Sequence, residues 1–231
     1  LLFSSFMYSK PSFALAKLGH QLVCQVAFEQ LSSSQQLSIN KLLLAIPIKE
    51  QQRIKRYNRL PAQTSITFAS ACTWADAIKR DDNFQPYHSW HYLNISRDTD
   101  HVTEHSCQHN CLPRAIIYHQ KQLTSLTHSW EKARALLFLG HWLGDIHQPL
   151  HVSYASDLGG NKVKFKKKQG RCNNLHHYWD YCILSKANLT HTQWLKKLNE
   201  LWLHVTPNNQ HIKYNPTQVS QWADESYQLV R

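Results

Sequence analysis

Apolar positions recur at helical spacing along most of the chain. Leu22, Val26 and Ala27 mark a helix over 18–31, and Ser32 to Ser34 offer the cap of a second helix running through Leu44. Pro61 suits the first turn of a helix predicted over 62–79. Residues 80–110 are polar and irregular around Pro86 and the aromatic run YHSWHYLN, and read as a loop lying over a site. Helices are predicted over 112–126 and 130–145, the second buried at its apolar centre ALLFLG. Only 158–168 breaks the pattern: Gly159, Gly160 and Asn161, followed by alternating Lys162, Val163, Lys164, Phe165 and Lys166, predict a short hairpin. Helices resume over 174–184, 190–204 and 216–231. The expected class is all-α, and 231 residues without an internal repeat make one sizeable core.

The termini and cysteines add a compartment. LLFSSFMYSKPSFA, residues 1–14, is apolar and ends in small residues, like the remnant of a secretory signal, leaving 15–231 as the domain. The chain starts without Met and its last segment, QWADESYQLVR, has no C-cap, so an upstream start and a further C-terminal helix are expected. Cys24, Cys72, Cys107, Cys111, Cys172 and Cys182 form no CxxC pair, which favours disulfides over a thiolate metal site. Cys107 and Cys111 can close a short loop; Cys24 with Cys72 and Cys172 with Cys182 are taken as the other pairs. The protein is therefore expected to be secreted or periplasmic. No stretch is apolar over the ~20 residues a membrane span needs, so no stable insertion is expected.

Charge points to a partner. Twenty-six basic against 15 acidic residues leave a formal net charge of +11, which suits a polyanion. Of the 16 histidines, His88, His105, His109, His128, His191, His204 and His211 have no partner at ligand spacing and are expected at the surface. HWLGDIHQPLH is different. His141 and Asp145 lie four apart and project from one helical face, and Pro149 then breaks the helix and turns His151 back toward them. NLHHYWD repeats the pattern with His176 and Asp180, while His177, three before Asp180, competes for the same face. Two such pairs in one chain point to zinc.

With LGH at 18–20, WAD at 74–76, the WHY histidine His91, GGN at 159–161 and WADES near the end, these motifs resemble, in order, the zinc-dependent single-strand nucleases of the S-one/P-one type, and more distantly the bacterial zinc phospholipases C. The resemblance covers 15–226. It implies a mostly helical domain with three zinc ions on a cleft floor. Asp76, His91, His141 and Asp145 would hold one ion, and His151, His176 and Asp180 another. His20, a bridging Asp145 and the backbone of the mature N-terminal residue, placed here at Leu15, would hold the third. The family usually begins with Trp at that position, but backbone ligation needs no indole. Cleavage before Lys17 instead of after Ala14 would remove that ligand.

Three zinc ions against three carboxylates leave an electropositive centre suited to a phosphodiester, and no GxSxG-type nucleophile is visible. Asp76 and Lys79 are the candidate catalytic residues; Lys79 lies on the same helical face as Asp76, where the resemblance implies a basic residue that binds the scissile phosphate. The resemblance gives Tyr92 the base-stacking position and Asn94 the base edge. The expectation is an endonuclease acting on single-stranded DNA and RNA to leave 5′-phosphates, with 3′-nucleotidase activity and nucleotides among its substrates, working as a monomer. A zinc phospholipase C, or a basic nucleic-acid- or zinc-binding protein without turnover, are the alternatives.

Overall fold

The computed structural model describes residues 17–127, 129–169, 171–205 and 215–231. The expected signal remnant, Leu15, His128 and His211 lie outside them. Helices α1 (Lys17–Glu29), α2 (Ser33–Leu43) and α3 (Ile48–Asn58) open the fold, followed by the short α4 (Phe68–Ala71) and α5 (Trp74–Ile78). A 3₁₀ segment, Asp82–His91, leads into strand β1 (Leu93–Ile95), and the long helices α6 (Leu112–Ser125) and α7 (Trp130–Ile146) come next. After a 3₁₀ turn at Pro149–His151 come β2 (Val152–Tyr154), β3 (Lys164–Gln169) and β4 (Cys172–Asn174). Then α8 (Leu175–His177) passes through a π-turn, Tyr178–Cys182, into α9 (Ile183–Lys186), before α10 (His191–Trp202) and α11 (Pro216–Gln228). With only short strands, the architecture is all-α.

Local chemistry explains the boundaries. Ser32 and Gln35 form a capping box at α2, as do Thr67 with Ser70 at α4 and Thr190 with Gln193 at α10. Pro113 and Pro216 occupy first-turn positions, where no amide proton is needed. The core is built on α7, which is buried from Leu136 to Trp142 without interruption. Trp74 is fully buried and meets Phe138 edge-on at 5.0 Å, and α6 lays Leu112, Ala115 and Ile116 against the same core. The disulfide Cys24–Cys72 ties α1 to the end of α4 and seats on Gly140, where an added Cβ would lie 2.7 Å from Cys72 Sγ. Disulfides Cys107–Cys111 and Cys172–Cys182 complete the set.

Three expectations need correction, and one helix was not foreseen. No continuous helix covers 62–79: residues 62–67 are turn and coil, and the Thr67 cap starts α4 afresh. α3 escapes the apolar pattern, because its buried face is Glu50, Ile54 and Asn58. Residues 82–91 are wound as 3₁₀ helix instead of lying as an irregular loop. The hairpin spans 164–174, with 158–161 forming the turn before it, and it is not the only strand pair. β1 and β2 run parallel with Leu93 opposite Val152, which sets His91 and His151 beside each other at the strand entrances.

Candidate metal centre

Eight of the expected ligands converge on the floor of one cleft. Their donor atoms form three groups: His20, His141 and Asp145; Asp76, His91 and His141; and His151, His176 and Asp180. Within each group the donors lie within 4.8 Å of one another. α1 contributes His20, α5 contributes Asp76 and α7 contributes His141 and Asp145 one turn apart. The 3₁₀ segments deliver His91 and His151, while α8 and the π-turn carry His176 and Asp180. The π-turn widens the backbone where an α-helix was expected, as such insertions often do at functional sites. His176 takes the position in the group; His177 lies outside it, beside the Tyr181 ring.

Backbone carbonyls orient the imidazoles. Nδ1 of His141 donates to Cys72 O at 2.7 Å, Nδ1 of His151 to His91 O at 2.6 Å, and Nδ1 of His176 to Gly159 O at 2.7 Å. Each bond leaves the Nε2 lone pair facing the centre. There the lone pairs meet carboxylate oxygens. His20 Nε2 is 3.3 Å from Asp145 Oδ1, His141 Nε2 is 3.5 Å from Asp145 Oδ2, and His176 Nε2 is 3.2 Å from Asp180 Oδ2. Tetrahedral coordination with bonds of ~2.0–2.1 Å spaces its donors ~3.3 Å apart, so this packing matches a small divalent cation. Nε2 of His20, His141 and His151, Oδ1 of Asp145 and Oδ2 of Asp180 are buried without a hydrogen-bond partner among the described residues. Buried polar atoms left this way are destabilising unless a ligand engages them.

The charges agree. Asp76, Asp145 and Asp180 are buried, and Lys79, whose Nζ is 2.8 Å from Asp76 Oδ1, is the permanent cation beside them. Burial pushes the Asp76 carboxyl up, but Lys79, then His141 and His20, outweigh it and hold it well below the usual range. Asp145 is likewise held down by His151 and His141 against burial. Burial, with Lys79 next, takes His91 down to about 4. His151 moves the other way: burial opposes its charge, yet Asp145 and Asp180 raise it to about 9. The two oxygens of Asp145 face different partners, Oδ1 toward His20 and Oδ2 toward His91 at 3.0 Å and His141, which suits a bridge between two cations.

The cleft above, about 320 Å³, is lined by Lys79, Tyr92, Asn94, Gly159 and Asn161 together with His91, His151 and His176. That volume suits a nucleotide-sized group. Tyr92 is 41% exposed at its mouth, while neighbouring Trp90 packs instead on Tyr87, Tyr118 and His119. Three residues were not anticipated. Tyr57 on α3 donates to Asp76 Oδ2 at 3.2 Å, and Gln148 donates to Asp180 Oδ1 at 2.6 Å. His88, expected at the surface, is half-buried in the cleft wall with Nε2 shielded from solvent. Only the Gln in HQPLH, between two ligands, carried a sequence signal.

Comparison with known proteins decides the family: the profile described as S1/P1 Nuclease matches residues 16–231. The chain belongs to the S1/P1 nuclease family. Among its relatives, Endonuclease 2 of Arabidopsis thaliana is 31% identical over 198 residues, covering 78% of this chain and 60% of that protein. Endonuclease 3 of the same plant is 27% identical over 92% of this chain and 72% of its own length. Nuclease S1 of Aspergillus oryzae is 26% identical over 73% and 54% respectively. The chain thus spans about 60% of Endonuclease 2. No helix among the described residues is long and apolar enough to cross a membrane.

Proposed function

We propose that this S1/P1 family member is a secreted or periplasmic endonuclease with three zinc ions, which hydrolyses single-stranded DNA and RNA to 5′-phosphate products and removes 3′-phosphates from nucleotides. The observation that carries the reading is the set of three His/Asp groups, two of them sharing His141 and flanking Asp145, whose Oδ2 lies 3.0 Å from His91, on the floor of a cleft edged by a cation and an exposed aromatic ring. Asp76, His91, His141 and Asp145 would hold one ion, and His151, His176 and Asp180 a second. His20, Asp145 and the backbone of Leu15 would hold the third. Zinc supplies Lewis acidity toward the phosphate and lowers the pKa of water.

The chain's own residues do the rest. Lys79 places an ammonium beside Asp76, with its charged form favoured by Asp76 and Asp145 over the opposing burial; it takes a non-bridging phosphate oxygen. Tyr92 offers a ring on which any base can stack, worth ~1–3 kcal/mol per base and tolerant of sequence. Asn94 meets the base edge. An unpaired base can reach such a ring without first leaving a duplex, and this favours single strands.

The test combines zinc stoichiometry with product analysis. Purified protein should carry three zinc ions by native mass spectrometry, degrade single-stranded DNA and RNA to 5′-phosphate ends, lose activity in a chelator and regain it with zinc. Full activity after complete zinc removal would overturn the reading. Release of choline phosphate without nucleotide release would assign a phospholipase C, and strand binding without turnover a non-catalytic protein.

A further inference from the structure

The ten residues 162–171, KVKFKKKQGR, hold six cations and no carboxylate. In the fold residues 164–169 are strand β3, which pairs antiparallel with β4. Lys164, Lys166, Lys167 and Arg171 are exposed, and none forms an ion pair with a carboxylate among the described residues. Lys162 Nζ bonds only the Ser156 carbonyl, at 3.2 Å, and Arg171 lies over the Tyr181 ring at 5.3 Å. So many like charges on one short ladder repel one another, and no neighbouring acid offsets the repulsion. Apart from the Lys162 bond and the Arg171 stacking, the described fold gives these cations no partner.

Their position is specific. The hairpin grows from the cleft rim at Gly159 and Asn161, and it is fastened to the segment bearing His176 and Asp180. Leu175 N donates to Val163 O at 2.9 Å, Phe165 packs edge-on against Tyr178 at 5.6 Å, and Cys172–Cys182 ties β4 to the π-turn. Phe165 is half-buried between exposed Lys164 and Lys166, which lie two residues apart on an irregular strand, about 6–7 Å along the chain. That is the order of the separation between successive phosphates of an extended strand.

We infer that Lys164, Lys166 and Lys167 on β3, with Arg171 just before β4, form a phosphate-binding track beside the cleft that holds the part of a single strand extending beyond it. This rests on the nuclease reading above and adds a determinant of substrate length: long strands engage both cleft and hairpin, short ones the cleft alone. The observations favour a polynucleotide over a lipid surface, because exposed Lys162, Lys164, Lys166, Lys167 and Arg171 outnumber the one exposed apolar side chain described among them, Val163.

The experiment compares the full chain with K164Q/K166Q/K167Q and with the milder K166Q. Fluorescence anisotropy uses a non-cleavable phosphorothioate 20-mer, a phosphorothioate dinucleotide and anionic vesicles, and kinetics use the cleavable counterparts. Three lost contacts should flatten the slope of log affinity against log salt by about 2. KM for the 20-mer should rise roughly tenfold, while kcat, dinucleotide binding and zinc content stay unchanged and K166Q falls between. An unchanged slope and KM for the 20-mer overturns the inference, as does an equal loss on long and short substrates, or a change in vesicle binding alone. If the unaltered chain cleaves no nucleic acid, the nuclease reading fails, and binding of the non-cleavable strand still decides the hairpin's role.

Discussion

Gly159→Ala should loosen one metal group while leaving the others intact. Gly159 has φ +59, and a Cβ placed there would press into the Leu150 backbone carbonyl. Holding Ala in the left-handed region costs about 1–2 kcal/mol. The methyl cannot share space with the carbonyl, so the turn must shift, and Gly159 O is the acceptor that orients His176 through a 2.7 Å bond. Losing that bond costs a further ~0.5–1.5 kcal/mol. The sum, about 1.5–3.5 kcal/mol, lowers Tm by roughly 3–14 °C in a chain of this size. A ligand freed from its orienting partner typically loses ~10–100-fold in metal affinity, here at His151, His176 and Asp180. Competition against a calibrated chelator measures that affinity, and thermal unfolding measures stability. Gly160→Ala is the control, because φ is +77 but the nearest atom to its Cβ is the flexible Leu150 Cδ1 at 3.3 Å; it should lose stability and keep its zinc. Equal zinc loss in both variants would show that backbone strain, not the Leu150 contact, sets the site, and undiminished affinity in Gly159→Ala would refute the reasoning.

Asp145→Asn should empty two groups together, leaving one tightly held zinc by native mass spectrometry; loss of a single ion would disprove the bridge. Lys79→Met should lower kcat/KM on a single-stranded oligonucleotide by about 10–100-fold, the worth of one charge-assisted contact, with zinc content unchanged, and normal turnover would remove Lys79 from the site. His119, buried among Trp90, Phe138 and Trp142, is held down to about 4 by burial. Because its folded pKa lies below the unfolded value of about 6.5, the unfolded chain binds more protons between the two, so stability falls as pH drops from about 6.5 to 4, by about 3 kcal/mol. Urea unfolding of His119→Phe should show a shallower loss over that window, and an unchanged pH slope would contradict this.

Much of the centre was legible because its spacing is local. His141 with Asp145, and His176 with Asp180, are one helical turn apart, and a four-residue interval needs no tertiary knowledge. α7 showed itself through its unbroken apolar centre. α3 did not, because the face it buries is polar: Glu50 accepts from Trp74 Nε1 at 2.6 Å, and Asn58 donates to Thr73 Oγ1 at 2.7 Å. Such a face has no apolar period to read, so Tyr57, carried on the same helix toward Asp76, stayed hidden with it. The β1 and β2 strands are three residues each, too short for alternation to register. The helix expected over 62–79 failed at Thr67 and Thr73, whose hydroxyls serve caps and turns better than a continuing ladder. His88 belongs to the cleft only because the 3₁₀ segment coils it inward.

The Cys24–Cys72 bridge has a bearing on how the protein matures. It clamps α1, which carries His20, to the end of α4, just ahead of the helix that carries Asp76, lies against Gly140, and presents through Cys72 the carbonyl that aims His141. Oxidation of this pair completes the frame around the His/Asp groups, so loading of the proposed cations is expected to follow it. A chain kept in a reducing compartment would hold the right side chains on loosely joined helices and should compete poorly for zinc, and under the proposed secreted or periplasmic location export would make the site competent.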